Sequence, residues 1–291
     1  MEGKIMKKIM ILGIILVFFL TGCDDYYKYA DNWRVPRQFS IEDAYSEDPG
    51  VDNMQLSEML KSCKSSLSKV IDRKSTKYLL WQNFNEVEIL MITKDSTNNL
   101  SEGVDAYYNR DDNTIYVLTE AMNKDQSYLR GVICHELVHT LTWSEKLDSL
   151  LSEGIADLYA ARALGTYGDH YEISYLNATF ATLCLESCYG DNLLRLAVAG
   201  ELPAEIDQDL GKVGLGYKLN ESLSAVYYYS FIEPNEDNCH EALLAQFDIL
   251  SHLVAKKGQG QDQLMVIDLI GSYDLSEKEQ EYFVKIIKAR S

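Results

Sequence analysis

The sequence predicts an α+β fold in which a small mixed β-sheet comes first and a mainly α-helical C-terminal lobe follows. Three observations support that reading. Segments rich in β-formers fall within residues 85–119, apolar residues recur at helical spacing after Gln126, and that helical pattern continues to the C-terminus. With 46% hydrophobic residues among 291, the chain can build one sizeable core or two lobes.

The first helix is expected between Asp52 and Lys74, where Leu56, Met59, Leu60, Cys63, Leu67, Val70 and Ile71 have the spacing of one buried face. The stretch "NEVEILMIT", residues 85–93, reads as a strand. "VDAYYNRDDNTIYVLT", residues 104–119, reads as strand, turn and strand, with the turn around Arg110 to Asn113. Helices are expected at Gln126–Thr142, Glu145–Leu164, Ser174–Val198, Ser222–Ile232, Cys239–Lys256 and Ser276–Ala289. No internal repeat, low-complexity tract or glycine-rich phosphate loop interrupts them.

Residues 1–22 have the layout of an export signal: Lys4, Lys7 and Lys8 precede an apolar run from Ile9 to Leu20, and "LTGC" follows. That run is too short to cross a bilayer core of about 30 Å comfortably, but it matches the apolar centre of a secretory signal. "LTGC" resembles the bacterial lipobox, which implies that Cys23 is the lipidated first residue of the mature chain, tethered to the cell membrane on its extracytoplasmic face. No later segment approaches the length of a spanning helix. Residues 23–50, polar and interrupted by Pro36, Pro49 and Gly50, read as a spacer leading into the fold.

The formal charge is −18, from 45 acidic and 27 basic residues, and removing residues 1–22 with their three lysines and one glutamate leaves −20. An acidic surface of that size repels phosphate backbones and argues against nucleic acid as a partner; by itself it means solubility. Once Cys23 is set aside, Cys63, Cys134, Cys184, Cys188 and Cys239 remain, an odd number that cannot pair completely within the chain. Cys184 and Cys188 lie one turn apart without clustered soft ligands and read as small core residues or an optional disulfide. Cys63 with Cys239 is one of several pairings the sequence leaves open.

The stretch that carries chemistry is "GVICHELVHTLTW", residues 131–143. On a helix, positions i and i+4 lie about one turn apart, so His135 and His139 leave one face within reach of a single ion, with Glu136 beside them. His-Glu-x-x-His is the minimal layout for binding zinc through two histidines while the glutamate serves as general base. Most other residues in the stretch are apolar, and two polar rings on an apolar helix need partners, which a shared metal supplies. Next comes "LLSEGIADLYAARAL", residues 150–164, where Glu153 and Asp157 repeat the i, i+4 spacing on an otherwise apolar helix. A pair of core histidines and a solvent-facing acidic edge are the non-catalytic alternatives.

Together these two helices resemble the gluzincin metallopeptidases, the thermolysin-like branch of the zincins, with similarity over about residues 102–164. The metzincin layout is excluded, because Thr142 and Glu145 stand where that family needs a glycine and a histidine. The gluzincin resemblance implies a zincin-like fold and a Zn2+ ion held by His135, His139 and Glu153. It implies Glu136 as general base and Asp157 as the acceptor for the second ring nitrogen of His135. It implies that "VDAYYN" is an edge strand pairing with an extended substrate backbone, with contacts at Asp105, Ala106 and Tyr107. It also implies an oxyanion donor from the C-terminal lobe, for which Tyr228 in "AVYYYSFIE" ranks first and His240 second.

The organisation expected is a signal peptide (1–22), a lipidated N-terminus and spacer (23–50), a catalytic lobe (51–164) and a helical lobe (165–291). The function implied is zinc-dependent peptide-bond hydrolysis at the cell envelope, acting on peptide or protein substrates. A cell-surface binding lipoprotein that keeps the fold without catalysis is the alternative. His170 and His252 read as structural or surface residues.

Overall fold

The computed structural model describes residues 50–71, 78–93, 104–142, 144, 146–165, 176–258, 260–271, 273 and 275–289. The expected signal peptide, Cys23, nearly all of the spacer and His170 lie outside these residues. Among the described residues no helix is long and apolar enough to cross a membrane.

The fold is α+β, with a small mixed sheet and a helical C-terminal lobe. Strands β1 (Glu88–Ile92), β2 (Ala106–Asn109) and β3 (Thr114–Leu118) form one sheet in the order β1-β3-β2. β1 runs parallel to β3, and β2 runs antiparallel to it along one edge. The expected turn joins β2 to β3, and Asn113 sits there with φ of 55°, a conformation asparagine tolerates better than most residues. Its amide group accepts from the Tyr108 hydroxyl (2.9 Å) and donates to the Asn83 carbonyl (3.1 Å), fixing the turn to the helix before the sheet.

Strand alternation sorts the side chains between two faces. Ile89, Met91, Ala106, Tyr108, Ile115 and Val117 join the main core, while Ile92, Tyr116 and Leu118 form a smaller cluster with Leu90 and Tyr107. The central strand β3 is buried at all five positions, which explains its nearly continuous apolar sequence. Helices α1 (Gly50–Val70), α2 (Tyr78–Glu86) and α3 (Gln126–Thr142) pack together, with α1 against β1 and α3 against β2. The expected face of α1 is buried through Leu56, Leu60, Cys63 and Leu67.

Helix α4 (Ser149–Leu164) is the centre of the molecule. It packs against α1, α3, α5 (Leu176–Tyr189) and α8 (Leu215–Tyr227), and every residue from Leu150 to Ala161 is buried. Its start is four residues later than the periodicity predicts because Asp148 caps it, accepting from the Leu150 amide at 2.9 Å. Gly165, in the left-handed region at φ 71°, ends it.

Beyond α4 the predicted helices are subdivided. The periodicity predicts one helix over Ser174–Val198, but Gly190 turns the chain at φ 51° and separates α5 from α6 (Asn192–Ala199). Helix α7 (Leu202–Leu210) is not predicted, since it buries only Leu202 and Ile206, too few positions to show a period. Helix α8 begins seven residues before the expected start at Ser222, and its own last turn passes into a π-helical turn at Tyr228–Ile232. Helices α9 (Glu236–Lys257), α10 (Gly260–Ile270) and α11 (Glu277–Lys288) complete the lobe. Its centre is aromatic: the ring of Phe247 lies 4.2 Å from that of Phe180, 4.8 Å from Tyr273 and 5.3 Å from Phe283.

Candidate metal centre

Helix α3 starts at Asp125, whose carboxylate accepts from the amides of Ser127 (2.7 Å) and Tyr128 (3.4 Å). From Ile133 to Leu141 every residue except His139 is buried, and the His139 side chain is only 12% exposed. An apolar helix surrounded on all sides therefore presents two imidazoles and one carboxylate inward. His135, Glu136 and His139 each offer a ligand atom, all within 4.8 Å of one another, so the group can hold a metal ion.

Helix α4 adds a better-placed carboxylate. Glu153 Oε2 lies 3.2 Å from His135 Nε2 and 3.7 Å from His139 Nε2, and the two Nε2 atoms are 3.1 Å apart. Three atoms so spaced lie on a circle of about 1.9 Å radius, so one ion fits within about 2.0–2.1 Å of all three, the usual bond length from such ligands to a divalent transition metal. Tetrahedral coordination at that length separates ligands by about 3.3 Å, close to the mean of the observed distances. The electrostatics agree, because two imidazoles and a carboxylate this close need positive charge between them, which a shared metal ion or a proton supplies.

Each imidazole is oriented from behind. Asp157 Oδ1 is 2.8 Å from His135 Nδ1, and since a carboxylate accepts, Nδ1 carries the proton and the neutral ring keeps its Nε2 lone pair for an ion. His139 has a weaker support: Ser152 Oγ lies 3.3 Å from its Nδ1 and 3.5 Å from Thr142 Oγ1. Burial acts against a charged imidazole at His135, but hydrogen bonds to Asp157 and Glu153 outweigh it and hold the ring well above its ordinary range. Burial likewise opposes ionisation of Glu153, and the imidazoles of His139 and His135 overcome it, keeping the carboxyl well below the usual carboxylate range.

Glu136 is held apart from this triangle. Its Oε2 accepts from the backbone amide of Tyr108 on β2 at 2.9 Å, so a carboxylate stands beside the ligand set without being drawn into it. The same bond fixes the phase of the edge strand. The Leu118 amide donates to the Asp105 carbonyl (2.8 Å), which makes Asp105 and Tyr107 inward-bonded positions and turns the backbone groups of Ala106 and Tyr108 away from β3. Of the three expected contact positions, Ala106 turns its backbone groups away from β3, while Asp105 and Tyr107 bond toward it. The Asp105 side chain has a different role, accepting from Lys124 Nζ and the Tyr128 hydroxyl, both at 2.6 Å, and so tying the start of β2 to the N-terminus of α3.

The two oxyanion candidates have partners of their own within the helical lobe. The Tyr228 hydroxyl donates to Glu233, and His240 Nε2 faces Glu279 Oε1 on α11 at 3.6 Å; both side chains are over 40% exposed. His252 is exposed beside Asp248, as expected. The residues missed by sequence reasoning are Ser152 and the Tyr108 amide. Ser152 directly precedes Glu153, but nothing in residue type marks it, and a backbone donor leaves no mark at all. Comparison with protein-family models, with curated proteins and with solved structures finds no significant match to this chain.

Proposed function

We propose that this chain is a zinc metallopeptidase of the gluzincin type, anchored by a lipid on Cys23 to a membrane and acting on peptides or proteins at its extracytoplasmic face. The observation that carries the reading is the triangle of His135 Nε2, His139 Nε2 and Glu153 Oε2 with Asp157 behind it. Two imidazoles and one carboxylate, with a further side left open, are a frequent donor set for catalytic zinc. Zinc held there supplies a Lewis acid that polarises the scissile carbonyl and acidifies the attacking water.

The chain's own groups do the rest. Glu136 takes a proton from the water and returns it to the leaving amine, and the Tyr108 amide keeps its carboxylate beside the ligands. Asp157 and Ser152 hold the imidazoles in the orientation that points Nε2 at the ion. The outer edge of β2, where the backbone groups of Ala106 and the Tyr108 carbonyl face away from β3, suits an extended peptide added as a further strand. Support for the lipid anchor comes from the Lys4–Cys23 sequence pattern.

The test is metal analysis of the purified wild-type and Glu136→Gln proteins, with cleavage of a mixed peptide library with and without chelator. One equivalent of zinc in both proteins is expected, with chelator-sensitive cleavage by the wild type alone. Undiminished cleavage by Glu136→Gln would sink the mechanism. Zinc without any cleavage would favour the non-catalytic binding lipoprotein. Labelled palmitate that still enters a Cys23→Ser chain would remove the anchor from the reading.

A further inference from the structure

We propose that Cys63 and Cys134 form a disulfide that staples α1 to α3, the helix carrying His135 and His139. Both side chains are thiols in the structure, and both are completely buried where α1 packs on α3. The two thiols are hydrogen-bond partners. Cys63 Sγ also lies 3.6 Å from the carbonyl oxygen of Arg130, one turn before Cys134, so the sulfur of α1 rests on the strip of α3 that carries the second cysteine. The other pairing open in the sequence, Cys63 with Cys239, has no such support: Cys239 Sγ sits 3.4 Å from Ser230 Oγ at the other end of the chain's helical lobe.

At the same contact one Nη of Arg130 on α3 donates to Ser62 Oγ on α1 at 2.9 Å, directly beside Cys63.

The oxidant is an external disulfide, either a small-molecule one such as oxidised glutathione or a protein one. The thiolate of one cysteine attacks one of its sulfurs, the other leaves as a thiol, and the second cysteine then attacks the mixed disulfide and displaces the second thiol. Two protein thiols become one disulfide, the external disulfide becomes two thiols, and the two cysteine protons finish on them. Because both sulfurs are buried, the exchange takes place during folding, before α1 closes over α3. The crosslink closes a loop of about 70 residues, long enough to restrict the unfolded chain strongly.

The test is to unfold the mature chain under reducing conditions and refold it in mixed oxidised and reduced glutathione, beside Cys63→Ala and Cys134→Ala proteins. Free thiols are blocked and the protein is digested without reductant. A crosslinked peptide pair containing Cys63 and Cys134 is expected as the predominant species. Reductant should lower the wild-type Tm by about 5–15 °C and leave both variants unchanged. Recovery of both cysteines as blocked thiols, a predominant crosslink through any other cysteine, or a wild-type Tm indifferent to reductant would overturn the proposal. If neither variant folds, the wild-type peptide map and its reductant-dependent Tm decide alone.

Discussion

Replacing Gly154 with alanine sets the preference of the α4 backbone against its packing. Helix propensity alone favours the change, by about 0.8–1 kcal/mol in a helix interior. The structure reverses the sign. A Cβ at position 154 would stand 2.3 Å from the Ala178 carbonyl oxygen and 2.3 Å from Thr182 Oγ1, both on α5. The threonine hydroxyl can rotate if it gives up its 2.9 Å bond to that carbonyl, but the carbonyl itself is fixed in the helix. Restoring even a 3.0 Å contact requires α4 and α5 to part by about 0.7 Å, and α4 is buried on every side, so nothing yields easily. Overpacking costs about 1–3 kcal/mol, and a clash with a fixed carbonyl belongs in the upper half of that range, about 2–3 kcal/mol, which leaves a net loss of roughly 1–2 kcal/mol and a fall in Tm of about 2–8 °C. Glu153 moves with its neighbour, so the 3.2 and 3.7 Å separations from the histidines change and metal affinity falls as well. Melting curves of the apo and metal-loaded proteins, with chelator competition for affinity, read both effects. A Gly154→Ala protein that melts at or above the wild-type temperature would refute the packing argument, and unchanged metal affinity would refute its link to the ligands.

Three further outcomes follow from the same contacts. Asp157→Ala removes the acceptor behind His135 and should weaken metal binding about 10–100-fold, measured against a chromophoric chelator, while Asp157→Asn, which keeps an acceptor oxygen, should lose less. Ser152→Ala should cost less than Asp157→Ala, because a neutral hydroxyl at 3.3 Å is the weaker support; the reverse order would show that the two histidines are held differently. Asp148 supplies a pH dependence: burial pushes its carboxyl up to about 6, against the bonds it accepts from Ser224, Leu150 and Leu151. The folded protein then binds a proton more tightly than the unfolded chain. Stability relative to Asp148→Asn should be level below about pH 4, decline by at most about 3 kcal/mol between pH 4 and 6, and level off above that. Asparagine keeps the N-cap, so parallel urea-denaturation profiles for the two proteins across this range would show that the carboxyl is not perturbed.

The parts of the site that sequence reveals are those set by local geometry. His135 with His139 and Glu153 with Asp157 share faces because one helical turn separates them, and that spacing needs no tertiary knowledge. The sheet is legible in kind, since β-formers and the turn at 110–113 lie close together in the chain. Its phase is not: whether Ala106 or Tyr107 turns its backbone outward depends on which residue of β2 exchanges bonds with β3, and both choices have the same composition. The surroundings of Tyr228 and His240 are not legible for a related reason. Their positions relative to α3 depend on the path through α5 to α9, including a break at Gly190 and an unpredicted α7, so no spacing along the chain could place them.

The location of the metal centre follows from the burial of α4. A helix enclosed from Leu150 to Ala161 would be most stable with apolar residues throughout, because a carboxylate buried without partners costs several kcal/mol. Here Ser152, Glu153 and Asp157 interrupt it, and each meets a group on α3: Ser152 meets Thr142 and His139, Glu153 meets both histidines, and Asp157 meets His135. The result is a polar seam between two helices that are otherwise apolar. Such a seam is favourable only when every member is satisfied, since a half-filled network leaves buried groups unpaired. This makes the ligand geometry rigid, as three donor atoms fixed by packed helices cannot drift in the way loop residues do. On the proposed function, an extended substrate would lie along the outer edge of β2, where backbone groups face away from β3. A rigid ion-binding seam beside a backbone edge would then recognise the shape and polarity of an extended chain more than its side chains.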